Sequence, residues 1–195
     1  MKFRSAEFAG ASASEESFLG DGCAEIAFAG RSNVGKSSLL NCLLGAKLAR
    51  TSSTPGRTQT VNWFRVEDRF WLVDLPGYGY AKVSRTAREA WAKTVASYFA
   101  RPHDKRLVVQ LVDAKVGATA LDRDAADYFV ALDSPRIVVA TKIDRLKRGE
   151  RARRMDEIRR DLGLETADGL LAVSAITGEG VRELWKRIAD FLAAG

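Results

Sequence analysis

The sequence is poor in cysteine, in histidine and in long apolar runs. Its two cysteines, Cys23 and Cys42, have no neighbour at the spacing of a zinc or redox motif, which argues against a disulfide framework and a cysteine metal site. We assign no role to the single histidine, His103. No apolar window reaches the length that spans a bilayer, and the N-terminal segment lacks the continuous apolar core of a signal peptide. These absences predict a cytoplasmic protein without membrane contact.

The charged residues are unbalanced towards positive charge. With 31 Lys and Arg against 25 Asp and Glu, the formal net charge is +6, which favours a polyanionic partner. A chain of 195 residues with 46% hydrophobic residues can bury one core of ordinary size, whereas two full domains need a longer chain. We therefore expect one folded domain over residues 22–195, and separately we expect a monomer. Residues 1–21, rich in Ala, Ser and Gly, are expected to form a loosely ordered arm.

Short apolar runs alternate with longer amphipathic runs along the chain. The strand-like runs are residues 25–29, 61–66, 70–74, 107–113, 136–141 and 170–173, and the helix-like runs are residues 36–44, 85–100, 121–132, 150–162 and 181–193. Only Glu67 and Asp68 separate the second strand from the third, so these two strands should form an antiparallel hairpin. The pattern predicts an α/β fold with helices on both faces of a mixed six-stranded sheet, mostly parallel with one antiparallel hairpin strand.

The segment over residues 30–37 has the spacing of a phosphate-binding loop. It consists of Gly30, Arg31, Ser32, Asn33, Val34, Gly35, Lys36 and Ser37, which fits G-x-x-x-x-G-K-[ST] between an apolar strand and an amphipathic helix. Glycines allow successive N–H groups to converge on one point, where the helix dipole favours a phosphate. Lys36 is then expected to contact the β- and γ-phosphates, and the Ser37 hydroxyl to ligate Mg²⁺.

Three further segments follow apolar strands, where ligands of open α/β sheets bind. They are Asp74, Leu75, Pro76 and Gly77, then Thr141, Lys142, Ile143 and Asp144, then Val173, Ser174 and Ala175. The Asp74 carboxylate can hold Mg²⁺ through water. Asp144 can accept hydrogen bonds from the ring N–H and the exocyclic amine of guanine, a donor pair that adenine lacks. With the Lys142 stem over the ring and the Ala175 N–H donating to O6, these residues predict a guanine nucleotide site.

The loop between the first helix and the hairpin is a candidate switch. It includes Gly56, Arg57, Thr58, Gln59 and Thr60. A threonine in such a loop can reach Mg²⁺ and the γ-phosphate when GTP is bound, and can release them after hydrolysis. Thr58 is our choice, with the other threonines of the loop as alternatives. A plain surface turn at Pro55 and Gly56 is the competing interpretation.

These motifs, in this order, resemble those of the TRAFAC class of translation-factor-like GTPases. The sequence is similar to the EngB family over about residues 22–193. The segments that carry this resemblance are GRSNVGKSS, TPGRTQ, DLPGYGYAKV and ATKIDRL. The resemblance implies a Ras-like G domain, Mg²⁺-dependent GTP binding with slow hydrolysis to GDP, a role in assembling the large ribosomal subunit, and a need for the protein in cell division and septation. It also implies that the nucleotide contacts all the segments named above, and that Ser37 and Thr58 hold Mg²⁺. One departure is the turn Asp113-Ala114-Lys115-Val116-Gly117, where the resemblance leads us to expect an arginine.

The residue after Gly77 is Tyr78, where many GTPases have a glutamine that orients the attacking water. We hypothesise that Lys36, Thr58 and Asn33 carry the catalysis instead. Asn33 would help to coordinate a K⁺ ion beside the phosphates, as is thought for similar GTPases with Asn at this loop position. The alternative is that Asn33 only accommodates the backbone geometry of the loop. Equal GTP turnover in KCl and NaCl would exclude the potassium hypothesis.

Residues 145–160 carry eight basic and three acidic side chains, with Met155, Ile158 and Leu162 as an apolar stripe. The basic face predicts contact with RNA phosphates, although a merely solvated helix face is the alternative. Three functions follow: a GTPase that assists ribosome assembly, a GTP-dependent module that binds a protein partner in cell division, and an ATP-using P-loop kinase. Asp144 and the absence of a lid or acceptor site disfavour the kinase.

Overall fold

The computed structural model describes residues 5–49, 60–79, 85–103, 105–165 and 169–194. The strands are β1 (Ala6–Ser12), β2 (Ala24–Gly30), β3 (Val61–Val66), β4 (Phe70–Asp74), β5 (Arg106–Asp113), β6 (Arg136–Thr141) and β7 (Leu170–Ala172). The α-helices are α1 (Lys36–Leu44), α2 (Arg85–Ala100), α3 (Ala120–Ala131), α4 (Arg148–Asp161) and α5 (Val181–Ala193). Every helix and strand that the sequence predicts is present at its expected place in the chain.

The strands form one sheet in the order β1-β3-β4-β2-β5-β6-β7. Strand β3 pairs antiparallel with both β1 and β4, whereas β2, β4, β5, β6 and β7 pair in parallel. Within the described sheet, β3 alone runs against the other strands, which confirms the expectation of one antiparallel hairpin strand in a mostly parallel sheet. The carboxyl ends of β2, β4, β5 and β6 consequently meet at one edge.

The prediction of six strands is wrong, because the described sheet has seven. The additional strand, β1, lies in the segment for which the sequence predicts loose order. It pairs with β3 from Ala6 opposite Val66 to Ser12 opposite Val61, with a register shift near Phe8. A search for alternating apolar residues misses this strand because most of its residues are small. Main-chain pairing with an open sheet edge does not need such alternation. The division of the chain at residue 21 stays a prediction.

The β3–β4 hairpin closes through two residues, as predicted. Glu67 and Asp68 have φ values of 49° and 52°, and the Arg69 N–H donates to the Val66 carbonyl over 3.0 Å. Positive φ at both central positions is the geometry of a type I′ turn, which matches the right-handed twist of the strands it joins. Neither residue is the glycine or asparagine that such turns prefer, so the spacing of the strands was the informative signal.

The two faces of the sheet are covered by different helices. On one face, α1 and α5 pack through Leu39, Leu40, Leu184 and Ile188 onto β2 and β5. On the other face lie α2, α3 and α4, which contribute Tyr98, Phe129 and Ile158 among other residues. Among the described residues, no helix is long and apolar enough to cross a membrane.

Candidate functional site

The phosphate-binding loop predicted over residues 30–37 connects β2 to α1. Gly35 precedes the helix with φ at 103°, in a region that side chains rarely adopt. At Gly30 a Cβ atom would lie 2.9 Å from Val34 Cγ1 and 3.1 Å from the Leu111 carbonyl oxygen, so the packing leaves no room for a side chain. The tight loop places the start of α1 at the sheet edge. The first N–H groups of this helix have no partner inside the helix.

Lys36 and Asp74, which the sequence assigns to phosphate and metal binding, form an ion pair. Their side chains are only 12% and 8% exposed, so the pair is weakly screened by water. The oxygen donors at Asp74 and Ser37 suit Mg²⁺, which proteins hold through one or two side-chain oxygens together with substrate phosphates. The residues present therefore fit a magnesium ion beside a bound phosphate.

The segment after β4 runs directly along the phosphate loop. The Ser32 N–H donates to the Tyr78 carbonyl over 2.8 Å, and the Tyr78 N–H donates to the Gly30 carbonyl over 3.2 Å. A Cβ atom on Gly77 would lie 3.2 Å from the Ser32 nitrogen, so a glycine allows the two backbones to approach. Two hydrogen bonds and a close backbone approach thus join the two segments.

The segment after β6 holds the phosphate loop from its other side. The Thr141 hydroxyl lies 2.6 Å from the Val34 carbonyl oxygen, and Lys142 Nζ donates to the Asn33 carbonyl over 2.6 Å. Lys142 Nζ also lies 2.6 Å from Asp113 Oδ2. Residues separated by more than 100 positions in sequence therefore meet at one edge of the sheet.

The predicted base-recognition residues lie side by side. The Ile143 N–H donates to the Val173 carbonyl over 3.3 Å, which joins the two segments. Asp144 is half-buried, and its carboxylate has no hydrogen bond or ion pair within the described ranges. The buried Ser174 hydroxyl accepts hydrogen bonds from the Ile176 and Thr177 N–H groups over 3.2 and 3.1 Å, which shapes the turn that presents Ala175. An acceptor carboxylate and a backbone amide are thus available for a purine.

The predicted switch loop is mostly outside the described residues. Gly56, Arg57, Thr58 and Gln59 fall there, as do the alternatives Thr51 and Thr54. Thr60 is described as a half-buried residue immediately before β3. The assignment of Thr58 to Mg²⁺ and to catalysis stays a prediction.

The Tyr78 side chain is turned towards helix α3. It is buried, and its hydroxyl donates to Asp122 Oδ1 over 3.0 Å. Burial, reinforced by the Asp122 carboxylate, raises the pKa of Tyr78 far above its usual range, so the hydroxyl stays a donor at every working pH. The tyrosine acts as a tether to α3.

Asn33 is exposed and has φ at 63°, the left-handed region in which asparagine is favoured over most residues. This geometry accounts for the asparagine without a bound ion. Coordination of K⁺ by Asn33 stays a hypothesis.

Two carboxylates beside the site were not assigned a role from the sequence. Asp113, which pairs with Lys142, is the last residue of an apolar strand, as Asp74 is. This shared position could have identified Asp113 as a site residue from the sequence. Asp122 is fully buried at the start of α3, with Arg31 Nε 3.7 Å from its Oδ2. The spacing of Thr119 and Asp122 fits a capping box, which the structure forms at the start of α3, but no motif indicates the contacts of Asp122 with Arg31 and Tyr78.

The chain is similar to known GTPases over most of its length. Residues 25–142 match a family model described as 50S ribosome-binding GTPase. The probable GTP-binding protein EngB of Exiguobacterium sibiricum is 45% identical over 189 residues, which are 96% of this chain and 98% of that protein. The corresponding protein of Halothermothrix orenii is 46% identical over 170 residues, covering 86% of this chain and 85% of that protein.

Solved structures give the same fold. A crystal structure of a probable GTP-binding protein EngB has a TM-score of 0.72 at 25% identity, covering 88% of this chain and 100% of that chain. The structure of Era in complex with MgGDPNP and nucleotides 1506–1542 of 16S ribosomal RNA has a TM-score of 0.69 at 26% identity. That match covers 87% of this chain and 56% of the Era chain.

Proposed function

Since this chain belongs to the EngB family of GTP-binding proteins, we propose that it is a GTP-dependent switch in the assembly of the large ribosomal subunit, needed for normal cell division and septation. The chain is a GTPase with a Ras-like fold. The proposal depends most on one feature of the site: the Lys36–Asp74 ion pair and the Asp144 carboxylate lie at the same sheet edge, joined through the phosphate loop. The matching family model, described as ribosome-binding, supports the choice of partner.

In the proposed site, the chain provides donors for the phosphates and an acceptor for the base. Residues 30–37 surround the phosphates, and Lys36 exchanges its contact with Asp74 for one with the triphosphate. Ser37 and Thr58 provide oxygens for Mg²⁺, which when bound neutralises charge on the phosphoryl group. Hydrolysis is slow, because the Tyr78 hydroxyl is engaged with Asp122 and the chain has no glutamine at that position.

Helix α4 and the turn before it offer the basic surface for RNA. Four of the arginines between residues 145 and 160 already pair with carboxylates: Arg151 with Glu179, Arg153 and Arg154 with Glu157, and Arg159 with Asp156. The basic side chains without a carboxylate partner among the described residues are Arg145, Lys147, Arg148 and Arg160. These four are exposed and can neutralise RNA phosphates without breaking an ion pair.

The alternative is a protein partner in cell division, with RNA incidental. Exposed apolar side chains on and before α3 favour it: Val116 is 54% exposed, Leu121 45% and Val130 65%. Nucleotide-dependent binding to purified ribosomal particles separates the two functions, because a division partner would be absent from such particles.

The test is co-sedimentation with isolated large ribosomal subunits. We expect the protein to sediment with them when loaded with a non-hydrolysable GTP analogue, to stay in solution when loaded with GDP, and to lose binding steeply as salt increases. Sedimentation of the Asp144→Asn variant should require the xanthosine analogue in place of the guanosine analogue. The reason is that the asparagine amide can donate to the xanthine oxygen that replaces the guanine amine.

Asp124→Asn is the matched control, since Asp124 is exposed on α3 and the charge change is the same. It should behave as wild type. Equal sedimentation of the protein loaded with the GTP analogue and with GDP would argue against a switch. An Asp144→Asn protein that still requires guanosine would show that another residue reads the base.

A further inference from the structure

We propose that Asp113 is a positioning residue for guanine nucleotide binding, which acts through Lys142 to hold the base-binding segment against the phosphate loop. The inference rests on the proposed guanine nucleotide site, in which the stem of Lys142 is expected to cover the base. Asp113 itself lies behind the lysine and needs no contact with the nucleotide.

The Lys142 ammonium is shared between two oxygens. Its Nζ lies 2.6 Å from the Asn33 carbonyl oxygen and 2.6 Å from Asp113 Oδ2. The side chain of Lys142 is 22% exposed and that of Asp113 is 9% exposed, so water competes weakly for this contact. The lysine therefore bridges the end of β5 and the phosphate loop.

The Asp113 carboxylate is held in place by its own turn. Its Oδ1 accepts hydrogen bonds from the Lys115 N–H over 2.9 Å and from the Val116 N–H over 3.4 Å. The Asp113 carbonyl accepts a further one from the Gly117 N–H over 2.8 Å. One carboxylate oxygen thus organises the turn after β5, which leaves the other to hold Lys142 at a fixed point.

Lys142 needs such a partner because its backbone is unfavourable for a lysine. Its φ is 58°, in the left-handed region, which persists only where surrounding contacts enforce it. The stem also passes over the phosphate loop, since a Cβ atom on Gly35 would lie 3.6 Å from Lys142 Cε. The two contacts of the ammonium fix the far end of this strained residue.

The bridge has a direct consequence for the phosphate-binding amides. Lys142 holds the Asn33 carbonyl, and the neighbouring Thr141 hydroxyl holds the Val34 carbonyl. In a trans peptide the N–H points opposite to the C=O, so the Lys142 contact orients the Val34 N–H, which donates to the Arg31 carbonyl over 3.1 Å within the loop, and the Thr141 contact orients the Gly35 N–H. Removing the charge on Asp113 should loosen the lysine and, through it, the loop.

The test is the rate at which a fluorescent GDP analogue leaves the protein, measured by stopped flow. Asp113→Asn keeps an oxygen for the turn but removes the charge, and Lys142→Met keeps the stem but removes the ammonium. We expect each to accelerate release roughly tenfold, the loss that one charge-assisted hydrogen bond produces. The double variant should release GDP no faster than Lys142→Met alone, because the two residues act in one chain of contacts.

Controls separate positioning from folding and from the proposed site. Asp124→Asn should release GDP at the wild-type rate, and Asp113→Asn should unfold in one cooperative transition without nucleotide, which shows that faster release does not come from loss of the fold. Should Asp113→Asn fold poorly, Asp113→Ser, which also retains an oxygen acceptor, replaces it.

Three outcomes are decisive. Wild-type release from Asp113→Asn together with fast release from Lys142→Met overturns the role of Asp113 alone. Additive acceleration in the double variant overturns the route through Lys142. Wild-type release from Lys142→Met removes the proposed function of that lysine, and the present inference with it.

Discussion

The Tyr78 side chain connects the segment after β4 to helix α3. Its hydroxyl donates to Asp122, a carboxylate that is fully buried and that also accepts from the Thr119 N–H over 2.8 Å and from the Thr119 hydroxyl over 2.6 Å. A buried charge with several donors is stable, and each lost donor exposes it to the full cost of desolvation. The tyrosine is therefore a structural link.

Replacing Tyr78 by Phe should lower the free energy of unfolding by roughly 1–3 kcal/mol, because the buried Asp122 carboxylate loses a donor. GTP turnover should stay at the wild-type rate. Urea unfolding without nucleotide and phosphate release under saturating GTP measure the two quantities. Tyr128→Phe is the control, since Tyr128 is 37% exposed on α3, the helix that carries Asp122. This substitution should change the free energy of unfolding by less than about 0.5 kcal/mol. A drop in turnover at unchanged stability would instead give Tyr78 a part in the chemistry.

At the scale of elements, β1 shows that a strand can add to the sheet without contributing to the site. It covers the outer edge of β3, where Phe8 packs its ring 5.6 Å from that of Phe64. The predicted nucleotide-facing segments follow β2, β4, β6 and β7, on the far side of β3. Pairing with β1 satisfies an edge that would otherwise be open to other chains.

Removal of residues 1–12 should destabilise the protein by an amount on the order of 2 kcal/mol, since each cross-strand pair contributes roughly 0.2–1 kcal/mol. GDP affinity should stay unchanged, because the phosphate loop keeps all its partners. Thermal unfolding and GDP titration measure these two effects, and hydrogen exchange should accelerate in β3. Phe8→Ala, which removes only the ring contact, should have a smaller effect. A parallel loss of GDP affinity would mean that β1 supports the site.

At the scale of the whole molecule, a buried charge cluster lies at the end of the sheet opposite the nucleotide edge. Glu25 is fully buried at the start of β2. Tyr98 donates to it over 2.8 Å, Arg106 Nε lies 3.1 Å away and His103 Nε2 lies 3.2 Å away, and Arg101 pairs with it directly. Burial raises the pKa of Glu25, but the contact with His103, the hydrogen bond from Tyr98 and the charge of Arg101 outweigh it and lower the pKa to about 2.

The stability of the protein should therefore fall in acid. Because the folded-state pKa of Glu25 lies below its unfolded value, its contribution is present above about pH 4.5 and is lost as the pH falls towards 2. The shift corresponds to roughly 3 kcal/mol. Urea unfolding between pH 2.5 and 7 should show this slope in wild type and in the control Glu7→Gln, whose carboxylate is exposed. Glu25→Gln should be less stable at pH 7 and should lose much of the slope, whereas an unchanged slope would assign it to other carboxylates.

The sequence by itself determined the order and type of the five α-helices and of six of the seven described strands, together with the phosphate-loop motif. These depend on the spacing of apolar residues, of glycines and of a lysine within short windows, where local geometry decides the outcome. The hairpin through Glu67 and Asp68 was predictable for the same reason. Even the edge at which Asp74 and Asp144 would meet followed from the rule that parallel strands end together.

Only the tertiary structure decided the seventh strand and the carboxylate partners. Strand β1 forms because β3 offers an unpaired edge, and no side-chain pattern records that. The pairing of Lys142 with Asp113, of Tyr78 with Asp122, and of Glu25 with its arginines joins residues 29 to 81 positions apart. Such contacts depend on how the chain crosses the sheet, and a local sequence pattern does not contain that information.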